Sequence, residues 1–175
     1  MTQKINSFSK TISSVSKRSC IELIFAKNLA SHFKTILKLY EPRYTEDDFK
    51  LLKNIDNIEI MATNNDCLMP ISEPSIIVGV HLYRKLYENL LSANSTDPSN
   101  IFLIGNAIPE MLDSHNDFDF DLKTMEKLEH QILTESLENC FDPSFDKFSD
   151  IFSGTVCTVF PSTACFDTHF FAYHC

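Results

Sequence analysis

Apolar residues recur at steps of three and four from position 21 to position 40, which is the spacing of one face of an α-helix. Pro42 follows, and proline ends a helix because it has no amide hydrogen to donate. Thr45 and Asp48 stand three residues apart, as in a capping-box variant, and predict a short second helix. The front of the chain is therefore predicted to form a long helix, a short helix and a strand at 57–61.

The middle of the chain reads as strand, helix, strand. Residues 75–80 form a continuous apolar run with β-branched residues, typical of a buried strand, and 81–92 carry leucines at helical spacing. After a polar turn, 101–104 form a second apolar run. This order predicts a βαβ unit in a parallel sheet. Farther along, the pattern predicts a helix at 122–137 and strands at 155–160 and 166–173.

Composition limits the function. The 175 residues include 43% hydrophobic residues and 15 phenylalanines, enough for the core of one domain. Fifteen Lys and Arg against 24 Asp and Glu give a formal net charge of −9, which repels phosphate backbones. A long nucleic-acid groove is thus not expected, whereas a small nucleotide pocket remains open, because only local charge matters there.

The two ends of the chain differ from its middle. Residues 1–19 are rich in Ser and Thr and contain no acid, so we predict a flexible arm, with a transit peptide as the alternative. Residues 20–175 are predicted to form the domain. The last aromatic run reaches Cys175 without a polar tail, so this domain is expected to be truncated. Six cysteines without a secretory signal favour a reducing compartment, with free thiols or metal ligands.

Two residues are candidates for chemistry. With three glycines in the whole chain, neither a P-loop nor a GxGxxG turn can form. Gly105 follows a predicted strand and could let a ligand approach the backbone, or it could be a simple turn glycine. His81 stands where a strand gives way to a helix. It could act as a base or nucleophile, or it could bond only to the backbone of the helix start.

Five segments, taken in order, resemble the alphavirus-like RNA-capping domain, the methyltransferase-guanylyltransferase of viral replicases. The resemblance covers about residues 44–165. The segments are TEDDFKLLKNIDNIEIM, GVHLYRKLYENLL, IFLIGN, SHNDFDFDLKTMEK and VCTVFPSTAC. This resemblance implies an α/β fold, with a Rossmann-like methyltransferase-type sheet and flanking helices.

The resemblance also implies roles for individual residues. His81 would become covalently linked to a methylated guanylate, and Ile104, Gly105 and Asn106 would help bind S-adenosylmethionine. Leu103 stands where the family has an acidic residue. The family's Asp-x-x-Arg element falls on Thr124 and Lys127, with Asp119 or Asp121 as alternatives for the acid. Asp121 and Lys127 are accordingly expected to contact the cofactor.

A structural zinc site is implied by the same resemblance. His115, Asp117, Cys157 and Cys165 would be the ligands, with Asp117 in place of the family's first cysteine. Zinc accepts carboxylate oxygen as well as thiolate, so this set is chemically reasonable. His169 or His174 could replace Asp117. Buried unpaired thiols are the alternative interpretation of the two cysteines.

The expected function is therefore viral mRNA cap formation. A methyl group would pass from S-adenosylmethionine to GTP, and His81 would capture the methylated guanylate with loss of pyrophosphate, assisted by Mg²⁺. Expected partners are GTP, S-adenosylmethionine, the viral RNA 5′ end and other replicase domains, in membrane-associated replication complexes of the host cytoplasm. Membrane contact would come through segments beyond this chain. Two alternatives are a non-catalytic viral accessory domain with a structural zinc site, and a hydrolase pairing Cys157 or Cys165 with His169 or His174.

Overall fold

The structure of the chain is a computed structural model that describes residues 17–41, 44–61, 65–113, 121–137 and 149–161. The chain divides into two compact units, with the boundary between Asn64 and Asn65. We refer to residues 1–64 as unit 1 and to residues 65–175 as unit 2. Each unit has its own pair of parallel strands.

Unit 1 contains two helices and two short strands among its described residues. They are α1 (Lys17–His32), β1 (Leu37–Leu39), α2 (Glu46–Leu52) and β2 (Ile58–Ile60). β1 and β2 pair in parallel, with Lys38 opposite Glu59. Thr45 caps α2 with its side chain, and the Asp48 carboxylate accepts a hydrogen bond from the Thr45 backbone (2.8 Å). The capping box and the strand at 57–61 are thus confirmed.

The predicted helix at 21–40 is wrong beyond its first half. α1 ends at His32, and Lys34 adopts a left-handed backbone conformation (φ 53°) that a helix cannot continue through. Leu37 then enters β1, where its amide donates a hydrogen bond to the carbonyl oxygen of Asn57 (2.9 Å). Pairing with a strand 21 positions later overrides the helical spacing of the apolar residues.

Unit 2 contains a four-stranded sheet and several helices. The strands are β3 (Ser75–Gly79), β4 (Ile101–Asn106), β5 (Leu133–Ser136) and β6 (Thr155–Val159). The described α-helices are α3 (Arg84–Ala93), α4 (Ile108–Asp113), α5 (Lys123–Glu129) and α6 (Ser149–Phe152). A 3₁₀ turn at Pro98–Asn100 precedes β4.

The strand order is β3-β4-β6-β5. β3 and β4 are parallel, as the βαβ pattern predicts, and Gly79 lies opposite Gly105 at their carboxyl ends. β6 is antiparallel to both of its neighbours, so the expectation of a parallel sheet holds for one strand pair only. The fold is mixed α/β, with a small mixed sheet and several helices.

The predicted helix at 122–137 is also divided by the structure. α5 ends at Glu129, and Leu133–Ser136 form β5 at one edge of the sheet. Apolar residues at 128, 132 and 133 fit either a helix face or a helix followed by a strand. Pairing of β5 with β6 decides between the two. The strand at 155–160 is confirmed as β6, whereas the one at 166–173 lies outside the described residues.

The core of unit 2 lies between one face of the sheet and the helices α3, α4 and α5. Leu103 on β4 packs in the same buried cluster as residues of these helices, so its side chain points toward them. Successive side chains of a strand point to opposite faces, so Ile104 points to the other face of the sheet. The main buried members of this cluster are Tyr87, Leu90, Leu91, Ile101, Leu103, Ile108, Met111, Met125, Leu128 and Phe160. Among the described helices, none is long and apolar enough to span a membrane.

Candidate functional site

The carboxyl ends of β3 and β4 are tied together by one buried tyrosine. Tyr87, which is 1% exposed, projects from α3 and donates a hydrogen bond from its hydroxyl to the Gly79 carbonyl oxygen (2.5 Å). The Tyr87 hydroxyl oxygen in turn accepts a hydrogen bond from the Asn106 backbone amide (2.7 Å). Burial raises the pKa of Tyr87, and the hydrogen bond from Asn106 opposes this only in part. The hydroxyl therefore stays protonated and holds both strand ends.

Gly105 is required by this arrangement. A Cβ atom at Gly105 would lie 2.1 Å from the Tyr87 hydroxyl oxygen and 3.0 Å from the Gly79 carbonyl oxygen. The space beside Gly105 is thus filled by the tyrosine and not left for a ligand. At Gly79 a Cβ would lie 2.8 Å from the end of the Leu82 side chain, and this side chain can rotate away.

His81 follows β3 in a left-handed backbone conformation, with φ at 58°. For a residue other than glycine this conformation costs about 1 to 3 kcal/mol and persists only where its surroundings enforce it. Asn106 provides the constraint: its side-chain oxygen accepts a hydrogen bond from the His81 amide (3.0 Å). The Asn106 side-chain nitrogen lies 3.5 Å from the Leu82 carbonyl oxygen. The end of β4 therefore fixes the turn that follows β3.

The His81 imidazole is exposed, and one of its nitrogens is already used. Nε2 lies 2.9 Å from the carbonyl oxygen of Ile151 in α6. A carbonyl oxygen can only accept, so Nε2 carries the proton in this contact. Nδ1 is then the nitrogen that remains for a ligand, as an acceptor when the ring is neutral and as a donor when it is protonated.

α3 begins next to His81 with an unusual first turn. Its N-cap residue, Tyr83, makes no side-chain capping hydrogen bond and is 82% exposed. The first turn contains no acidic residue and begins with Arg84 and Lys85. Basic residues at this end oppose the helix dipole, and Ser, Thr, Asp or Asn would cap it better. The sequence therefore places positive charge where helix stability alone favours negative charge.

A buried glutamate positions α5 against α3. Glu88, 6% exposed, accepts hydrogen bonds from the amides of Thr124 (3.0 Å) and Met125 (2.9 Å), and so caps the start of α5 from another helix. Asp121 lies just before α5. The pKa of its carboxyl is lowered, chiefly by a hydrogen bond from Lys123 (2.5 Å), and the nearby charge of Lys85 contributes a smaller part.

Comparison with known proteins identifies the family. The sequence matches the family model described as the SRR1 domain over residues 13–159, which is more than half of the chain. The chain belongs to the SRR1 domain family. This is a family of eukaryotic proteins, and no viral capping domain family is found. No curated protein and no solved structure matches the sequence significantly.

Membership of the SRR1 domain family overturns the resemblance to viral capping domains. The expected cap formation, the methyltransferase-guanylyltransferase activity and the viral replicase context are wrong for this chain. The five segments are short, and each consists mainly of common helix and strand patterns. Such patterns recur in unrelated α/β proteins, so their order did not specify the family.

The expected site residues of this SRR1 domain are only partly brought together. His81, Gly105 and Asn106 meet at the strand ends, and Asp121 lies near enough to Lys85 for their charges to interact. The remaining candidates lie elsewhere. Ile104 is buried on the sheet face opposite Gly105, and Lys127 is exposed in the last turn of α5, outside the contacts described above.

The zinc site remains a prediction. Cys157 is buried on β6, opposite Ile104 of β4. His115, Asp117 and Cys165, like the alternatives His169 and His174, lie outside the described residues. Within the described part of the chain, no three His, Cys, Asp or Glu residues lie together as a metal site would need.

Three residues at or near the strand ends were missed by the sequence reasoning. Tyr87 and Glu88 fall within a helical pattern, where an aromatic and an acid are ordinary, and Thr155 falls within a strand. Thr155 lies opposite Asn106, and its hydroxyl is buried with no hydrogen-bond partner among the described residues. A glutamate at a buried position of α3, next to Tyr87, is the one signal that the sequence offers.

Proposed function

We propose that unit 2 of this SRR1 domain binds a small, phosphate-bearing molecule at the carboxyl edge of β3 and β4. The observation that carries the proposal is the start of α3. There the exposed His81 ring is followed by a helix N-terminus without a side-chain cap, and Lys85 lies in the first turn of that helix. Helix N-termini bind anions through free amides and the helix dipole, and basic side chains add to this attraction.

Local charge explains how an acidic chain can hold an anion. The whole chain carries a net charge of −9, so long-range attraction cannot collect phosphate groups. Within the segment 81–87 the only ionisable groups besides Tyr83 and Tyr87 are basic or imidazole. A small ligand at this segment would meet Lys85 and the His81 ring, with Asp121 as an acidic neighbour of Lys85, whereas an extended nucleic acid would also meet the wider acidic surface.

The rigid backbone at the ends of β3 and β4 also supports phosphate binding there. Tyr87 fixes the two strand ends, and Asn106 fixes the backbone at His81. The cost of ordering this turn is therefore met on folding and not on binding, which favours affinity. The Rossmann-like description of the fold remains a proposal that rests on the β3-α3-β4 unit.

Titration calorimetry of the parent chain with inorganic phosphate, GTP and S-adenosylmethionine tests the proposal. Phosphate and GTP should bind, whereas S-adenosylmethionine, which has no phosphate, should not compete with them. Lys85→Ala should weaken phosphate binding about tenfold, the order expected for one charge-assisted hydrogen bond. Lys53→Ala, an exposed lysine of unit 1, is the matched control and should have no effect.

His81→Gly separates binding from folding. Glycine adopts the left-handed conformation without strain, which offsets the lost contact with Ile151, so stability should stay within about 1 kcal/mol of the parent. Phosphate affinity should nevertheless fall. The proposal is wrong if the parent fails to bind phosphate at about 10 mM, a concentration well above a weak millimolar Kd. It is equally wrong if His81→Gly and Lys85→Ala both bind like the parent.

A further inference from the structure

β1 has one edge that no described residue covers. Its other edge pairs with β2. The Leu37 amide donates a hydrogen bond to the Asn57 carbonyl oxygen (2.9 Å), and the Leu39 carbonyl oxygen accepts one from the Met61 amide (2.8 Å). In a parallel pair, successive residues direct their backbone groups to opposite sides. The backbone groups of the residues on either side of Leu37 and Leu39 therefore point away from β2. These residues, Ile36, Lys38 and Tyr40, are called the β1 outer edge.

The β1 outer edge is open to solvent. Ile36 is 56% exposed and Tyr40 is 41% exposed, two of the few large apolar side chains so exposed among the described residues. The Lys38 side chain is 63% exposed. None of the described residues is hydrogen-bonded to the backbone of these three. An open strand edge of this kind can accept a further strand through main-chain hydrogen bonds.

The shortness of β1 and the lysine at its centre restrict which strand can be added. Short edges and lysine side chains are devices that prevent indiscriminate pairing. If two copies of β1 paired with each other in register, Lys38 would face Lys38, and like charges directly opposite are destabilising. An acidic residue at that position would instead be attracted.

β2 shows which sequence pairs with β1. Ile58, Glu59 and Ile60 lie opposite Leu37, Lys38 and Leu39, and Lys38 Nζ is 3.8 Å from Glu59 Oε2. The pattern apolar-acidic-apolar thus complements this strand.

A groove beside the edge has the same charge preference. Its volume is about 430 Å³, and Lys34 is the one charged residue among those that line it. Ile36 belongs to both the groove and the β1 outer edge. Phe33, 57% exposed, lies just after the end of α1 and precedes Lys34. Apolar surface with a positive charge is suited to an apolar segment that carries a carboxylate.

We propose that the β1 outer edge binds an extended, apolar-acidic-apolar segment of a partner protein as a third strand. A two-stranded sheet is marginal by itself, and a third strand increases its stability. Main-chain hydrogen bonds supply affinity, and Lys38 and Lys34 select the acidic residue. The surface lies wholly in unit 1 and shares no residue with the phosphate site.

A labelled peptide with the sequence Ile-Asp-Asn-Ile-Glu-Ile-Met, that of residues 55–61, is the probe, and fluorescence anisotropy with the parent chain is the measurement. Saturable binding is expected. Replacing the peptide's Glu by Lys, or Ile36 of the protein by Asp, should each raise Kd at least about tenfold. Leu133→Asp, at an exposed apolar residue of unit 2 (45%), is the control and should leave Kd unchanged.

Backbone methylation distinguishes strand addition from apolar adhesion. Two further peptides carry N-methyl groups on alternate sets of residues, so that each blocks the donors of one peptide edge. One of the two should lose binding and the other should keep it. Equal binding by both, or no binding of the parent peptide below about 1 mM, overturns the proposal. Sedimentation that shows Ile36-dependent self-association without peptide overturns it as well, because a second copy is then the occupant.

Discussion

Both units of this SRR1 domain contain one pair of parallel strands, and the two pairs are held in different ways. β3 and β4 pair over five positions, and Ile101, Leu103 and Ile104 of β4 are at most 3% exposed. β1 and β2 pair over three positions, and none of the six residues is buried. Parallel strands are normally covered on both faces. The pair in unit 2 meets this requirement far better than the pair in unit 1.

The two strand pairs differ in whether their backbone polar groups are already hydrogen-bonded or remain accessible. At the carboxyl ends of β3 and β4, backbone groups are satisfied by Tyr87 and Asn106, so changes there should cost folding energy. At the β1 outer edge the backbone groups remain accessible, so changes there should alter binding and leave folding nearly unaffected. Substitutions can test this contrast directly.

Gly105→Ala should have the largest effect. The new methyl group would overlap the Tyr87 hydroxyl, and the Gly79 carbonyl oxygen limits movement on the other side. Overpacking costs about 1 to 3 kcal/mol, and loss of the tyrosine's buried hydrogen bonds adds to it, so we expect a loss of about 2 to 4 kcal/mol. Urea unfolding of the parent and the variant measures the difference.

Gly79→Ala is the matched control for this substitution. The one overlap of its methyl group would be with the end of the Leu82 side chain, which can rotate, and the Tyr87 hydroxyl oxygen would lie at an ordinary contact distance of 3.7 Å, so a clearly smaller loss is expected. Tyr87→Phe removes the overlapping oxygen, and the double variant with Gly105→Ala should therefore be more stable than the sum of the single losses predicts. Additive losses would show that Tyr87 does not require the glycine.

Glu88→Ala should have the next largest effect. It leaves the amides of Thr124 and Met125 without their acceptor at a buried site, which costs about 1 to 3 kcal/mol. Glu88→Gln keeps one acceptor oxygen, so its free energy of unfolding should lie between those of the parent and Glu88→Ala. Exposed Glu73→Ala is the control, expected within about 0.5 kcal/mol of the parent. An equally small loss for Glu88→Ala in urea unfolding would refute its capping role.

The sequence predicts local elements well where one signal dominates. The capping box at Thr45 and Asp48 defines α2, and the apolar runs of β3 and β4 predict their parallel pairing. Helical spacing fails at 33–40 and at 130–137, because Leu37–Leu39 and Leu133–Ser136 within these segments form strands through pairing with distant residues. Periodicity describes one segment at a time and carries no information about such partners.

The candidate site was predicted in part. Two parallel strands that end before His81 and before Gly105 predict that these two residues lie at one sheet edge, and the structure places His81 in contact with Asn106, the residue after Gly105. The role of Tyr87 could not be predicted, because it depends on a distance between a helix and two strand ends. The chemistry expected at His81 came from the wrong family, which shows that a correct juxtaposition does not identify a reaction.

Lys38→Ala should have the smallest effect, although it removes a charged group just as Glu88→Ala does. Lys38 and Glu59 are 3.8 Å apart with side chains 63% and 55% exposed, and water screens such a pair. Exposed ion pairs contribute about 0 to 1 kcal/mol, so urea unfolding should show a loss of less than about 0.5 kcal/mol. A loss near that of Glu88→Ala would mean that the β1 and β2 pair depends on this contact. A small loss of stability together with a large loss of peptide affinity would instead show that Lys38 serves recognition at the β1 outer edge and contributes little to folding.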